Sequence, residues 1–265
     1  SIMTGTAMEM MIGDSGVDPT SVEGATNLPY AIPNFRVGLH TTNADVPVTV
    51  QWWRSVGSTH TAYAGEVFLD ELAERAKRDP VEYRLAMLAD HPRHAAVLKL
   101  AADKAGWGEA LVHVDGKRRG RGVALHESFR SYVAHVVDVS VEDDGSYSVD
   151  RVVCAVDCGV AVNPDVVKAQ MEGGIGFALA AALYGEITIE DGVVQQSNYH
   201  DYQVLRMPQM PVVEVHIMPS AQAPSGVADP GEPPLAPALA NALYSATGKR
   251  LRDLPLGPKV AVYNG

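Results

Sequence analysis

The stretch ADPGEPPLAPALANALYSATG, residues 228–248, places two carboxylates directly in front of a run of small apolar residues. Asp229 and Glu232 stand among four prolines, and the run that follows has the pattern of a buried helix. Acidic side chains are favoured near the start of a helix, because the first backbone N–H groups there have no partner within the helix. The stretch therefore predicts a buried helix behind two acids. It leaves open whether the acids carry out chemistry or only cap the helix and order the proline-rich turn.

The composition is that of an acidic globular protein. The chain has 265 residues, of which 46% are hydrophobic and 20% are charged, and its formal net charge is -11. This length can form one large domain or two modest ones. Because binding to nucleic acid or to an anionic membrane surface requires clustered Lys and Arg, the acidic balance argues against both partners. We expect no membrane span either, since no apolar run approaches the roughly 18 residues that a span needs.

The pattern of apolar residues predicts an α+β chain with helices in its first part and strands in its second. The polar, glycine-rich segment at residues 112–122 separates the two parts, and its basic cluster KRRGR, residues 117–121, is predicted to be a solvated loop. We therefore expect residues 1–115 and residues 116–265 to form two subdomains. Helices are predicted at residues 62–77, 80–88, 94–105 (ended by Gly106) and 164–184 (ended by Gly185), and strands at residues 123–129, 132–141, 146–157 and 212–218, with a hairpin around Asp191 and Gly192.

The helix predicted at residues 164–184 has several glycines in its interior. Asn163 is a good N-cap in front of it, and Gly173 and Gly174 lie inside it. Each glycine destabilises a helix by about 1 kcal/mol relative to alanine, so glycine is favoured where another backbone or a ligand comes close. Tight helix packing and a ligand site both fit this pattern. Gln170, at the same end of the helix, can donate and accept hydrogen bonds together, which suits the edge of a heteroaromatic ligand.

Six segments resemble, in one order, the C-terminal part of the molybdenum-binding subunit of the xanthine oxidase family. Within that family the chain is most similar to the isoquinoline 1-oxidoreductase beta-subunit group, and the resemblance covers residues 20–256. The segments are YAIPNFR (residues 30–36), WWRSVGS (52–58), RGRGVALHESF (119–129), AVDCGVAVNPDVVKAQMEGG (155–174), SNYHDYQVLRM (197–207) and GEPPLAPALANALYSATGKRLRDLPL (231–256).

Parts of the family's pattern are missing from this sequence. The relatives also carry an MGQG-type segment and a second glycine-rich loop near the metal, and neither is present here. The two cysteines, Cys154 and Cys158, form no iron–sulfur motif and are predicted to be buried. The resemblance therefore implies that the chain forms only part of the cofactor site. It implies two partner chains, one with the remaining part of the molybdenum subunit and one with the iron–sulfur clusters.

The resemblance also implies a reaction. Members of this family hydroxylate a carbon next to a ring nitrogen, or an aldehyde carbon, with oxygen from water. They use a molybdenum pyranopterin, in this branch expected as the cytosine dinucleotide, and a glutamate near the metal serves as general base. Electrons leave through iron–sulfur clusters.

Two alternatives to catalysis by this chain stay open. The first is a non-catalytic assembly subunit that keeps the fold and has lost the chemistry. The second follows from the first residue: the chain begins at Ser1, so we expect a preceding part to have been removed, and Ser1 could be the nucleophile of a self-cleaving precursor.

The cofactor and substrate residues carried over by the resemblance lie in three of the segments. Gln170, in AQMEGG, matches the glutamine that contacts the cofactor, and Gly173 and Gly174 are assigned to the same site. Arg54, in WWRSVG, matches the arginine of the family's FRGFG segment, whose backbone lies beside the metal. Phe129 aligns more loosely with the substrate channel. Because RSVG replaces RGFG, the phenylalanine that holds substrate in purine oxidases is lost, and xanthine is not expected as a substrate.

Two alignments of the opening stretch assign the catalytic base differently. A direct match to the family's GEPPL makes Glu232 the base, whereas the closer branch reads GEPG-x-PP and sets its glutamate against Asp229. Asp is one methylene shorter than Glu, about 1.5 Å of reach, and a base needs reach as well as a suitable pKa. We therefore favour Glu232, with Asp229 as the alternative.

Overall fold

A four-stranded sheet lies at the centre of the computed structural model, which describes residue 12, residues 16–40 and residues 52–260. Strands β1, β2 and β3 are antiparallel, and β6 adds to β3 in parallel, giving the order β1-β2-β3-β6. Ser1 lies outside the described residues, so the self-cleavage hypothesis is not addressed. The strands are β1 (Lys117–Ser128), β2 (Ser131–Glu142), β3 (Tyr147–Asp157), β4 (Ile189–Glu190), β5 (Val193–Val194) and β6 (Val212–Ile217).

Helices cover both faces of this sheet. Parallel strands need a long crossover connection, and α4 lies on the connection between β3 and β6. Valines alternate along β2 and point to opposite faces. Val133 and Val137 pack with α4 and α5, whereas Val136 packs with α3. The helices are α1 (Ser58–Arg75), α2 (Pro80–Ala86), α3 (Pro92–Ala105), α4 (Pro164–Tyr184) and α5 (Leu235–Thr247).

The α+β prediction is confirmed, and several predicted element ends are correct. Gly106 ends α3 in the left-handed region at φ 66°, and Asn163 caps α4 by accepting hydrogen bonds from two backbone N–H groups. The hairpin around Asp191 and Gly192 is present as β4 and β5. Cys154 and Cys158 are buried and free, as predicted. The predicted boundary near residue 115 falls in the connection between α3 and β1, and it stays a prediction.

The prediction of a solvated loop at residues 117–121 is wrong. This segment is the first part of β1, and the paired acids lie on the neighbouring strands. Arg121 contacts Asp138 at 2.6 Å, and Lys117 contacts Glu142 at 2.8 Å. The sequence predicts a loop here because the acids that neutralise these basic residues are distant in sequence. Those acids can be identified only once the pairing of the strands is known.

Two glycines of β1 allow α5 to lie directly on the sheet. A Cβ atom on Gly120 would come within 2.1 Å of the carbonyl oxygen of Ala242. One on Gly122 would come within 2.2 Å of the Ala242 nitrogen and 2.3 Å of the Ala238 oxygen. The side chain of Asn241 fastens the contact by donating to the Val123 carbonyl at 3.1 Å. The small residues of α5 are therefore explained by backbone contact between helix and strand.

Helix α4 is buried on one face only. Met171 and Ile175 are fully buried against the sheet side, whereas Val166 and Phe177 on other faces are 50% and 41% exposed. Within the described residues, this helix is the one that is long and apolar enough to cross a membrane by length and composition. The statement that no apolar run approaches that length is therefore wrong for α4. Core helices of globular proteins pass the same test, and α4 packs into such a core through its buried face.

Candidate active site

A strained loop before α1 forms one wall of the site. Ser55 and Val56 have φ angles of 69° and 51°, in the left-handed region that a β-branched residue such as valine rarely occupies. Such residues cost about 1–3 kcal/mol each and persist only where the surroundings hold them. Here the Val56 N–H donates to the Trp53 carbonyl at 2.9 Å, and the Ser58 N–H donates to the Ser55 carbonyl at 3.0 Å. The loop is therefore fixed by its own backbone hydrogen bonds as well as by Asp229.

The two acids face the N-terminal end of α1, not that of α5. Asp229 accepts a hydrogen bond from the Ser55 N–H at Oδ1 (3.2 Å), and Oε1 of Glu232 lies 3.3 Å from the Thr59 hydroxyl. Within the described part of the chain, helix α5 has no side-chain cap, and its first N–H, that of Leu235, donates to the backbone carbonyl of Glu232 at 3.1 Å. The interpretation that the acids cap the helix behind them is therefore wrong. Their carboxylates lie at the start of a helix that is distant in sequence, where its free N–H groups favour an anion.

Glu232 is the more deeply buried of the two acids. It is 2% exposed, and its Oε2 atom is buried without a hydrogen-bond partner among the described residues. Burial disfavours the charged carboxylate and raises the pKa of Glu232 to about 8, and the positive charge of Arg54 offsets only part of that rise. Asp229 is half-buried and already engaged by Ser55. A buried carboxyl with a raised pKa and an unused oxygen is typical of proton-transfer sites.

Arg54 and Gln170 meet beside these acids. The guanidinium of Arg54 lies 3.5 Å from the Gln170 side-chain oxygen and also donates to the carbonyl of Ala228, the residue before Asp229. The same guanidinium lies over the ring of Phe177, 5.6 Å from its centroid. The structure thus brings Arg54, Gln170 and Asp229 together from three distant segments.

The two glycines assigned to the cofactor site have different surroundings. A Cβ on Gly174 would lie 3.2 Å from the Gly231 carbonyl carbon and 3.4 Å from the Glu232 nitrogen, so this glycine lets α4 pack closely against the turn that carries the acids. Around Gly173, by contrast, no described atom outside its own helix lies within 4 Å of such a Cβ. Gly173 is exposed and stands one helical turn from Gln170. Packing explains Gly174, and open space surrounds Gly173.

Two neighbouring cavities lie beside α4, and one of them borders Glu232. The first, about 250 Å³, contains Glu232 and Thr59 in its wall, and the second, about 320 Å³, extends along α4. Trp53 and Tyr202 line both. The ring of Trp53 stacks on that of Phe177 with centroids 4.7 Å apart. The space beside the buried carboxyl is therefore bordered by two aromatic residues, Trp53 and Tyr202, and by small apolar residues of α4 and α5.

Phe129, the predicted substrate-channel residue, lies elsewhere in the fold. It occupies the turn between β1 and β2 with a φ of 52° and is 46% exposed. A Cβ on Gly226 would come within 3.3 Å of its side chain. Phe129 therefore lies close to Gly226, three residues before Asp229, and its role in a substrate channel stays a prediction.

Sequence reasoning missed Thr59, Tyr202 and the Trp53–Phe177 pair. The apolar pattern predicts a start of α1 at residue 62 and so leaves Thr59 outside the helix, whereas α1 begins at Ser58. A Ser-Thr pair directly after Gly57 is a signal for the start of a helix, and it could have placed Thr59 in the first turn. No local signal in the sequence indicates the stack between two aromatic residues that lie so far apart.

The surface around Gln170 fits a pyranopterin-type cofactor in its donor chemistry. The Gln170 amide and the Arg54 guanidinium supply donors and acceptors for a heteroaromatic edge, and the open space at Gly173 gives a flat group access to the helix. Among the described residues, no group of three or more His, Cys, Asp or Glu side chains could hold a metal ion. The residues present thus suit contact with the organic part of such a cofactor and provide no ligand cluster for its metal.

Comparison with known proteins gives a consistent result. The molybdopterin cofactor-binding domain family matches residues 113–211, a range that contains Gln170 and both glycines. The chain is 39% identical over 241 residues to the beta subunit of isoquinoline 1-oxidoreductase from Brevundimonas diminuta, covering 88% of this chain and 29% of that protein. It is 34% identical over 244 residues to a subunit of nicotinate dehydrogenase from Pseudomonas putida, covering 86% of this chain and 20% of that protein. The chain therefore spans less than a third of the length of either relative.

The fold is also found among solved structures. Quinoline 2-oxidoreductase from Pseudomonas putida 86 matches 78% of this chain and 52% of its own chain, with a TM-score of 0.70 and 12% identity. An aldehyde oxidoreductase from Desulfovibrio desulfuricans matches with a TM-score of 0.64 and 16% identity, over 78% of this chain and 40% of that chain. At these identities the likeness shows the fold alone.

Proposed function

Because the chain belongs to the molybdenum-binding subunits of the xanthine oxidase family, we propose that it forms the part of a molybdenum hydroxylase that holds the cofactor's edge and supplies the catalytic base. The substrate is an N-heteroaromatic compound or an aldehyde, the oxygen comes from water, and the electrons pass to iron–sulfur clusters on a partner chain. A second partner supplies the remaining part of the molybdenum subunit. The cofactor is a molybdenum pyranopterin in its cytosine dinucleotide form.

One observation carries this proposal: the Arg54–Gln170 pair and the buried carboxyl of Glu232 meet at the start of α1. The pair belongs to the surface that suits the cofactor, and the carboxyl borders an aromatic cavity with room for a flat substrate. The bound cofactor supplies the metal that activates water and accepts the electrons of the substrate. The chain itself supplies donors that orient the cofactor and a carboxyl that can take a proton.

The roles of the residues follow from their surroundings. Gln170 and Arg54 bind and orient the cofactor. Asp229 holds the strained loop through the Ser55 N–H, which keeps the guanidinium of Arg54 in place. Glu232 takes the proton of the attacking water, and its pKa near 8 lies close to the pH at which a base works best. Trp53 and Tyr202 exclude bulk water from that proton transfer and offer faces on which a planar ring stacks.

The proposal predicts that the chain works only as part of a complex. Purified from its own cells, the complex should contain molybdenum in a one-to-one ratio with this chain, because the cofactor binds between this chain and its partner. The chain expressed by itself should aggregate or lack cofactor, since Phe177 and other apolar side chains of α4 stay exposed without the partner. Size-exclusion chromatography and metal analysis of both preparations check this.

Each outcome of that comparison has a clear meaning. A complex without stoichiometric molybdenum would identify the chain as an assembly subunit that keeps the fold. A well-behaved monomer with full cofactor would contradict the requirement for the remaining part of the molybdenum subunit.

Replacing Gln170 tests its role in binding the cofactor. The variant Gln170→Ala should fold, because alanine favours a helix and the Gln170 side chain is only half-buried. It should lose cofactor or activity, because the Arg54 guanidinium loses its side-chain partner and the cofactor loses an amide. Molybdenum content and turnover of the assembled enzyme are measured.

The matched control is Gln195→Ala, which removes an exposed glutamine whose side chain, among the described residues, bonds to its own hairpin at the Val193 carbonyl. If both variants keep full molybdenum content and turnover, Gln170 merely covers the helix and the assignment is wrong.

A further inference from the structure

Thr59 lies within hydrogen-bond reach of two acceptors. Its hydroxyl oxygen is 2.7 Å from the Arg54 carbonyl oxygen and 3.3 Å from Oε1 of Glu232. A threonine hydroxyl has one hydrogen to donate, but its oxygen can also accept. A carbonyl oxygen can only accept, and the shorter distance is to Arg54. The hydrogen of Thr59 therefore belongs to the Arg54 carbonyl.

The Ser55 hydroxyl is committed in the same way. It lies against Glu232 and donates its hydrogen to the Asp229 carbonyl at 2.9 Å. Both hydroxyls beside the Glu232 carboxyl thus have their hydrogens directed at backbone carbonyls. Toward Glu232 they offer oxygen lone pairs, which attract a protonated carboxyl and repel a carboxylate.

We propose that Thr59 is a positioning residue that accepts the proton of neutral Glu232 while it donates to the Arg54 carbonyl, so that ionisation of Glu232 forces the Thr59 hydroxyl to turn away from Arg54. This inference rests on the proposed function, in which Glu232 takes and releases a proton. No bond to Thr59 forms or breaks; only its hydrogen changes acceptor. When Glu232 is ionised, the Arg54 carbonyl loses its donor.

The hydrogen bonds of Thr59 link the charge of Glu232 to the loop that carries Arg54. That loop contains two residues at positive φ and is therefore strained. Loss of the hydrogen bond at the Arg54 carbonyl removes one of the contacts that hold it in this conformation. Arg54 also contacts Gln170. The protonation state of Glu232 therefore affects the residues that orient the cofactor. When the proton returns to Glu232, Thr59 donates to the Arg54 carbonyl again and the strain in the loop falls.

Charged and titratable groups surround Glu232 on each side. Arg54, on the loop before α1, favours its ionised form, and Asp229, on its own turn, opposes it. Tyr202 lines the cavity wall, and the residues of α4 that line the same cavity are alanines. If Thr59 donated its hydrogen to the carboxylate, it would stabilise the ionised form and lower the pKa of Glu232. If Thr59 accepts the hydrogen of the neutral acid, it stabilises the neutral form and raises that pKa. The sign of its effect therefore distinguishes the two arrangements.

The experiment measures the pKa of Glu232 in the assembled enzyme by infrared difference spectroscopy across a pH titration, with Glu232→Gln to assign the carboxyl band. In Thr59→Val, which keeps the shape and removes the hydroxyl, the pKa should fall by about one unit, the worth of a single hydrogen bond. Thr59→Ser keeps the hydroxyl and should restore the original value.

A rise in the pKa of Glu232 in Thr59→Val, or no change, overturns the proposal. A fall that Thr59→Ser does not correct also overturns it, because a packing defect would then be the cause. The titration reads the carboxyl itself and needs no turnover. An active Glu232→Gln enzyme would disprove the proposed base and leave the measured effect of Thr59 on the carboxyl intact, so the two failures are distinguishable.

Discussion

An enzyme that carries Glu232→Gln is expected to bind its cofactor and to turn over no substrate. Gln has the shape of the neutral acid that burial favours below pH 8, so the surroundings of residue 232 should be undisturbed. It cannot take a proton, however, and loss of a general base typically costs about 100-fold to 10,000-fold in rate. Molybdenum content and kcat of the assembled enzyme measure the two parts of this prediction.

The matched variant is Asp229→Asn, which should be much milder. Asn keeps an oxygen at the place where Asp229 accepts the Ser55 N–H, so the strained loop should stay in place. If Asp229→Asn is the inactive variant and Glu232→Gln keeps near-full activity, the base is Asp229, as the alignment with the closer branch suggests.

The assignment of Glu232 as the base also predicts how kcat/KM depends on pH. A base must be ionised to act, and the pKa of Glu232 is raised from 4.5 to about 8. Below pH 8, kcat/KM should therefore rise by a factor of about ten for each pH unit and level off above it. The raised pKa also means that the folded protein binds this proton more tightly than the unfolded chain. The contribution to stability is thus present below the unfolded pKa and is lost as the pH rises toward 8.

Gly122→Ala is expected to destabilise the assembled enzyme severely. The added methyl group would lie 2.2 Å and 2.3 Å from backbone atoms of α5, which cannot rotate away as a side chain can. The whole helix must then lift from β1, at a cost of about 3 kcal/mol or more. Because α5 continues directly from the turn that carries Glu232, the base would shift as well, and a misplacement of about 1 Å can lower the rate about 100-fold.

The midpoint of heat inactivation, the yield of assembled enzyme and kcat measure this effect. Gly38→Ala is the control, because a Cβ on Gly38 would meet no atom of the described residues within 4 Å and Gly38 has no positive φ. Equal midpoints and rates for the two variants would show that α5 is not held as closely to the strand as described.

Local signals predicted those parts of the fold that depend on a few neighbouring residues. Asn163 at the start of α4 and Gly106 at the end of α3 act through their own backbone conformation or side chain, so they can be read in sequence. The start of β1 could not be read in this way, because the acids that neutralise Arg121 and Lys117 lie on a neighbouring strand.

The candidate site shows the same division. The opening stretch indicated that Asp229 and Glu232 matter, and the resemblance selected Arg54 and Gln170. The sequence could not show which helix the acids face, because Ser55 and Asp229 are 174 residues apart. Nor could it show that Glu232 is buried and Asp229 half-exposed, since both stand in the same short proline-rich turn.

That separation of 174 residues also determines the order in which the parts of the site can form during folding. During synthesis, the loop at Ser55 and Val56 leaves the ribosome long before the partner that fixes it, because Asp229 follows only after the whole sheet. Contacts between such distant residues form late, since closing a long stretch of chain costs entropy. Helix α1 and the sheet can therefore form first, while the strained loop stays unfastened. The site closes last, when the proline-rich turn arrives together with α5, so a chain that ends before that turn lacks both acids and the helix that covers one face of the sheet.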